Sequence, residues 1–200
     1  MIINQAPISD KIFTVQEYIE FEETSPIRHE FYKGKLYAMA GTSDSHNDVV
    51  NNIVASMRPA FKKKGCRVYS ESVKVEIDDD EHYTYPDVFI TCHLDDKKSS
   101  YIKRFPSLII EVLSKSTAEY DRTDKFQKYQ KVPSIQHYML VDSRKVFAEL
   151  FSRSENQKIW SYQSFDKITD VVSFPDLDYS ISLEAMYEDI NFSLRIADFE

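Results

Sequence analysis

Glycine is scarce in this chain, 3 residues of 200, against a usual share of about 7%. Gly34, Gly41 and Gly65 cannot build a GxGxxG or a GxxxxGK[ST] loop. Glycine-cradled dinucleotide and nucleoside-triphosphate sites are therefore excluded, and no nucleotide cofactor is expected. Cysteine is scarcer still. Cys66 and Cys92 make no disulfide framework, and a free cysteine in a strand is usually core, so a reducing cytoplasm is the expected setting. His82 and His93 lie near them in sequence, but no CxxC or HxxxH spacing supports a zinc site. No GxSxG elbow is present to expose a serine nucleophile. No apolar run nears the ~18–20 residues needed to cross a bilayer, and no basic-then-apolar signal opens the chain. No membrane partner is expected.

What remains is ordinary in amount and uneven in placement. Hydrophobic residues make up 42% and charged residues 29%, the balance of a globular protein, and the length suits one domain, 1–200, with a real core. Tyrosine and phenylalanine are abundant, 13 of each. The net charge of -8 argues against polyanion partners, but the acids crowd into the tail. Residues 165–200 carry Asp166, Asp170, Asp176, Asp178, Glu184, Glu188, Asp189, Asp198 and Glu200 against Lys167 and Arg195. The rest is nearly neutral and holds a basic stretch, Arg58, Lys62, Lys63, Lys64, Arg67 and Lys74. That stretch reads as a solvated helix end or as a phosphate-facing patch, and composition leaves both open.

Periodicity then divides the chain. Thr14 and Glu17 have capping-box spacing, predicting a helix over 14–23. Residues 28–40 alternate around Lys33-Gly34, a hairpin turn. Ser45 to Lys64 repeat Val49, Ile53, Val54, Met57 and Phe61 on one face, a helix that Pro59 should kink or fray. Three strand-like runs follow, 67–77, 84–92 and 106–113, the first ending in an acidic turn at Asp78-Asp79-Asp80-Glu81. Ser116 to Glu119 open another helix, which Pro133 stops. Strands are predicted at 136–141, 146–151 and 158–162, and an irregular tail from about 168 with a helical turn near 183–189. The order helix, strand, strand, strand, helix, strand, closed by a parallel crossover, predicts an α/β fold: a mixed sheet flanked by helices.

Two strands carry acids where apolar residues are expected. In Tyr85-Pro86-Asp87-Val88-Phe89 and in Leu108-Ile109-Ile110-Glu111-Val112-Leu113, each carboxylate lies in a run that looks buried on both faces. A buried carboxylate must pair, neutralise or bind a metal. Asp121, Lys125, Lys128 and Tyr129 share a face of the following helix. Lys125 then either reaches Glu111 or makes a surface pair with Asp121, and spacing leaves that open. Two neighbouring carboxylates with a lysine meet the needs of Mg²⁺-assisted phosphodiester hydrolysis, and the peptide carbonyl of Val112 could complete the ligand set.

These residues and their order resemble the PD-(D/E)XK nuclease superfamily, and within it a bacterial family of the restriction-endonuclease type called Uma-two. The resemblance spans about 12–145. It rests on Arg28-His29-Glu30-Phe31-Tyr32-Lys33-Gly34-Lys35, Met39-Ala40-Gly41 with Ser45-His46, Tyr85-Pro86-Asp87-Val88, Pro106 through Ser114, then Thr117, Asp121, Lys125 and Tyr129, and Gln136 through Asp142. It implies a restriction-endonuclease-like α-β-β-β-α-β core, extended by the N-terminal helix and hairpin and, over 146–200, by strands and the acidic tail. It also implies a metal-dependent endonuclease acting on DNA, with Asp87, Glu111 and the Val112 carbonyl holding Mg²⁺, or Mn²⁺ in its place, and Lys125 orienting water or stabilising charge. The superfamily pattern wants lysine two residues after the second acid, where this chain has Leu113. In the narrower family the lysine comes from the next helix, as Lys125 does here. Glu30, His46, Asp121 and Tyr129 match its recurrent polar positions, with structural roles equally open to them.

Other features stay undecided at this level. Lys97, Lys98, Lys103 and Arg104, beside Asp95 and Asp96, form either a substrate rim or a solvated loop. Trp160 and Tyr162 could pack in the core or form a homodimer surface. The rival function is a catalytically inactive nuclease fold kept for nucleic-acid binding or assembly.

Overall fold

The computed structural model describes residues 6–39, 41–78, 81–115, 117–154 and 159–192. Helix α1 (Val15–Thr24) begins at Thr14 with the expected reciprocal bonds: Glu17 N–H donates to Thr14 Oγ1, and Thr14 N–H to the Glu17 carboxylate. The hairpin of β1 (His29–Tyr32) and β2 (Lys35–Ala38) turns at Lys33 and Gly34, both at positive φ. That pair of angles is the turn that matches strand twist. A Cβ on Gly34 would also stand 2.6 Å from Ile12 Cγ2, so this glycine is fixed on two counts. Helix α2 (Asp44–Lys63) runs through Pro59 and buries Val49, Val50, Ile53, Met57 and Phe61.

The next two strand runs are each divided. The first becomes β3 (Arg67–Ser70) and β4 (Lys74–Asp78), broken where Glu71 takes φ 50°. The second becomes β5 (His82–Thr84) and β6 (Val88–Thr91), broken at Tyr85-Pro86-Asp87. Both breaks are crossings between sheets. β3 and β6 join a six-stranded sheet while β4 and β5 join a five-stranded one. Glu71 N–H donates to the carbonyls of Pro86 and Asp87, tying the crossings together. Asp87 therefore lies in a crossing segment, a correction to the continuous strand expected. Pro86 lacks the N–H that a ladder needs.

A short helix, α3 (Leu94–Lys98), and β7 (Ile102–Lys103) precede β8 (Leu108–Leu113). The helical stretch that follows has three parts: α4 (Ala118–Tyr120), a π-helical turn at Asp121–Lys125, and α5 (Phe126–Tyr129). Ser116 lies outside the described residues, and Thr117, which precedes α4, makes no side-chain cap. β9 (His137–Asp142) pairs parallel with β8, as the crossover reading requires. β10 (Ala148–Arg153) and β11 (Trp160–Phe165) extend the sheet antiparallel. Its order is β11-β10-β9-β8-β6-β3; the other sheet is β2-β1-β5-β4-β7.

The tail departs from expectation. β12 (Val171–Phe174) and β13 (Tyr179–Ser182) form a hairpin, and α6 (Leu183–Met186) follows. Val172, Phe174, Ile181, Leu183 and Met186 join α2 and the Ile110 face of the large sheet in one core. The opposite face, with Phe89, Ile109, Leu113, Tyr138 and Leu140, packs on Tyr129, Val132 and Ile135. The large sheet is thus mixed and covered on both faces. Lys158, Asp79, Asp80 and the acids beyond residue 192 lie outside the described residues.

The cysteines overturn a second expectation. Arg67 pairs with Thr91 across β3 and β6, which sets Cys66 against Cys92 one step further on. They form a disulfide, with Cα atoms 4.1 Å apart. The loop bases also sort themselves. Lys103 is buried and donates to the Asp96 carbonyl at 2.7 Å, and Arg104 pairs with Glu76. Asp96 itself is buried, taking Thr91 Oγ1 at 2.7 Å and two backbone N–H groups. Lys103 is thus spent on the loop itself, and Arg104 ties the loop to β4.

Candidate active site

Side chains alternate along β8, so Ile109, Glu111 and Leu113 point toward the helical stretch 118–129 while Ile110 and Val112 point toward α2. Glu111 is only 2% exposed. It survives there because its oxygens are occupied. Tyr129 donates its hydroxyl to Oε1 at 2.8 Å, Lys125 Nζ lies 2.8 Å from the same oxygen, and the Asp87 N–H faces Oε2 at 3.4 Å. This decides the alternative left open for Lys125. It is a buried partner of Glu111, and Asp121 stands behind it at 3.6 Å. Glu30, from the five-stranded sheet, approaches Lys125 to 3.8 Å and accepts a hydrogen bond from Thr84. The cluster therefore joins the two sheets.

Asp87 sits at the more open side. Its Oδ2 accepts the Val112 N–H at 2.7 Å and lies 3.3 Å from His46 Nε2. His46 enters from the first turn of α2, behind the Ser43 cap. The side chains of Asp87, Glu111, Lys125, Glu30, His46, Asp121 and Tyr129 are all brought into this cluster, and Val112 enters it through its N–H to Asp87. Two more belong to it. Thr84 braces Glu30, and Tyr138 donates its hydroxyl to the Asp121 carbonyl at 2.9 Å. Both were hidden in apolar strand runs, where a threonine or tyrosine is unremarkable.

The electrostatics follow from burial. Desolvation pushes the Glu111 carboxyl up to about 8; Lys125 opposes this, while Asp87 and Asp121 add to it. Asp121 is raised for the same first reason. Burial pulls on the Lys125 ammonium too, but Glu111, Asp121 and Glu30 outweigh it and hold the group well above its ordinary value. His46 is also raised: burial lowers it, but the bond to Asp87 and that carboxylate's charge win. Four carboxyl groups thus crowd around one ammonium and one imidazole, and the raised Glu111 and Asp121 show a cost of ionisation that a bound cation would relieve. Among the described residues no three His, Cys, Asp or Glu side chains stand together as a metal cage. The donors fit a cation that needs only one or two carboxylates and keeps much of its water, as Mg²⁺ does.

The profile of the family described as "Putative restriction endonuclease", Uma2, matches residues 15–185. The chain belongs to the Uma2 family. An uncharacterized Synechocystis protein, slr1290, is 31% identical over 179 residues, covering 88% of this chain and 92% of its own. A second from the same organism, sll1609, is 32% identical over 135 residues, covering 66% and 76%. A crystal structure described as a "putative nuclease" of DUF820 from Anabaena variabilis superposes with a TM-score of 0.71. It covers 90% of this chain and 98% of its own at 18% identity. That likeness speaks for the fold alone, a mixed α/β architecture, and every residue of the cluster lies within the matched span 15–185. No described helix is long and apolar enough to cross a membrane.

Proposed function

We propose that this Uma2 protein is a divalent-metal-dependent endonuclease that hydrolyses DNA phosphodiester bonds. The observation that carries the reading is the Lys125 ammonium 2.8 Å from Glu111 beside Asp87. It is an acid, acid and lysine set assembled even though Leu113 replaces the strand lysine. Asp87, Glu111 and the Val112 carbonyl would hold Mg²⁺ or Mn²⁺, which supplies charge neutralisation at the phosphate and an acidified water. The chain's own groups account for the rest. Lys125 stays charged, so it acts as a donor to the attacking water or to a phosphoryl oxygen, and not as a base. Tyr129 fixes the Glu111 rotamer. His46 fixes Asp87, and Asp121 with Glu30 holds Lys125. The water oxygen bonds to phosphorus as one P–O ester bond breaks; the water gives one proton to solvent or to a phosphate oxygen, and the departing sugar oxygen takes one from solvent to leave as a hydroxyl.

One observation favours a non-cleaving reading. Glu111 Oε1 is already satisfied by Lys125 and Tyr129, so the pair could persist as a buried structural bridge in a protein that only binds nucleic acid. Supercoiled plasmid incubated with wild type and Glu111→Gln, in Mg²⁺, Mn²⁺ or EDTA, separates the two. Metal-dependent nicking that vanishes in the variant supports the endonuclease. Salt-sensitive DNA binding with no cleavage supports the rival. We further propose a homodimer through the outer strand β11, where Tyr162 is 54% exposed; Trp160 is turned inward on Phe126. Light scattering that gives a monomer mass would remove this proposal.

A further inference from the structure

Beside the acidic cluster lies a basic one that the mechanism does not use. Lys128 Nζ stands 4.1 Å from the centre of the Tyr32 ring and 5.3 Å from that of Tyr120, and donates to the Tyr120 hydroxyl at 3.2 Å. Lys33, from the β1–β2 turn, approaches the same Tyr32 ring at 5.7 Å. Among the described residues neither ammonium has a carboxylate within ion-pair distance, in contrast to Lys125. Behind the ring, His82 is 1% exposed, meets Tyr32 edge-on, and has neither ring nitrogen hydrogen-bonded. Burial, then the nearby lysines, keeps it neutral, so it adds no charge. Two cations from separate elements thus converge on one aromatic ring with no carboxylate in contact; burial lowers Lys128, and the charges of Glu30 and Asp124 partly offset that. Aromatic faces hold an ammonium in place at modest cost and leave it free to meet an anion.

The placement says which anion. Lys128 is three residues beyond Lys125, so their side chains leave the helix about 5–6 Å apart, and Tyr32 is two residues beyond Glu30 on the same face of β1. Lys128 thus emerges beside the acid cluster, and Lys33 meets it on the Tyr32 ring from the turn. We propose that Lys128 and Lys33, gathered on Tyr32, bind a backbone phosphate of the nucleic-acid strand next to the phosphate at Asp87 and Glu111. The proposal rests on the nuclease reading and adds the group that sets the strand's register. It also explains how a chain of net charge -8 takes a polyanion: by a local contact and not by an overall field.

The test is equilibrium binding of a fluorescein-labelled DNA oligonucleotide, single-stranded and duplex, in Ca²⁺ over a range of salt. Wild type, Lys128→Gln, Lys33→Gln, Lys128→Arg and the exposed-lysine control Lys167→Gln are compared, with plasmid cleavage in Mg²⁺ run alongside. Each site variant should lower the slope of log affinity against log salt by about 0.7–0.9. That amounts to about five- to eightfold weaker binding at 0.1 M salt, closing toward 1 M. Lys128→Arg and Lys167→Gln should keep the wild-type slope. Wild-type slopes in both Gln variants would overturn the proposal and leave the nuclease reading standing. Weakened binding in a protein that never cleaves would uphold the phosphate site and overturn the endonuclease. Wild type that binds no DNA would overturn both.

Discussion

Replacing Glu111 by Gln should make the metal-free protein more stable at pH 8 and less stable at pH 5. In the folded chain this carboxyl is pushed up to about 8 from 4.5, so the folded state holds its proton more tightly than the unfolded state does. Its contribution is fully present below pH 4.5 and is lost as pH rises through about 8. At 1.36 kcal/mol per unit, the wild type gives up roughly 3 kcal/mol by pH 7 and roughly 4 kcal/mol by pH 8. Gln carries no such penalty, and Lys125 keeps Asp121 at 3.6 Å and Glu30 at 3.8 Å as its anions. Its oxygen can still accept from Tyr129 and Lys125, but its amide faces the Asp87 N–H, and that mismatch costs roughly 1–3 kcal/mol at every pH. The mismatch cancels when two pH values are compared. Urea unfolding in EDTA at pH 5 and pH 8 should therefore show the variant gaining roughly 3–4 kcal/mol on wild type between them. A stability difference that is the same at both values would mean that Glu111 pays no desolvation cost, and the account of the site would fall with it.

Lys125→Met should abolish plasmid cleavage while calorimetry still detects metal binding, and it should destabilise the fold at pH 8 by about 3–5 kcal/mol, because Glu111 and Asp121 lose their cation. In Asp87→Asn the His46 imidazole should titrate below its wild-type value by NMR, since burial then acts without the opposing carboxylate. The stability that His46 draws from Asp87 is whole below pH 6.5 and fades as pH rises through its folded value, so this variant's deficit should shrink at high pH. Reducing Cys66–Cys92, or replacing Cys66 by Ser, should lower unfolding free energy by about 3 kcal/mol for a closed loop of this length. An unchanged urea midpoint after reduction would show that the bridge contributes nothing.

The parts of the site that follow from alternation were legible in the residues. Glu111 faces the helix because strand neighbours alternate; the reach of Lys125 to it was one of two readings that spacing left open, and only the packed helix decides it. The helical face expected to hold Asp121, Lys125, Lys128 and Tyr129 together is in fact divided. Lys125 and Tyr129 turn to Glu111, and Lys128 turns to Tyr32, with a π turn between Asp121 and Lys125 that helical periodicity does not announce. The crossings at Glu71 and Asp87 were not legible either. An apolar run that changes sheets has the same composition as one that does not, and only Pro86 hinted at a break. The tail hairpin had a signal in Val172 and Phe174, buried against exposed Val171 and Ser173, but four residues of alternation are easily outweighed by surrounding acids. The disulfide needed the register of β3 on β6, which is a fact of pairing and not of spacing.

That bridge also changes what a cut chain would be. Residues 66–92 form a closed covalent ring, and the ring contains Asp87, while Glu111, Lys125 and the rest of the cluster lie outside it. A protease that severs one peptide bond within the ring leaves a single molecule whose two pieces migrate together until a reductant is added. The first carboxylate stays tethered from whichever side of the break it falls on. A nicked protein could therefore keep its whole cluster, and on a gel only the comparison with and without reductant would reveal that it had been cut.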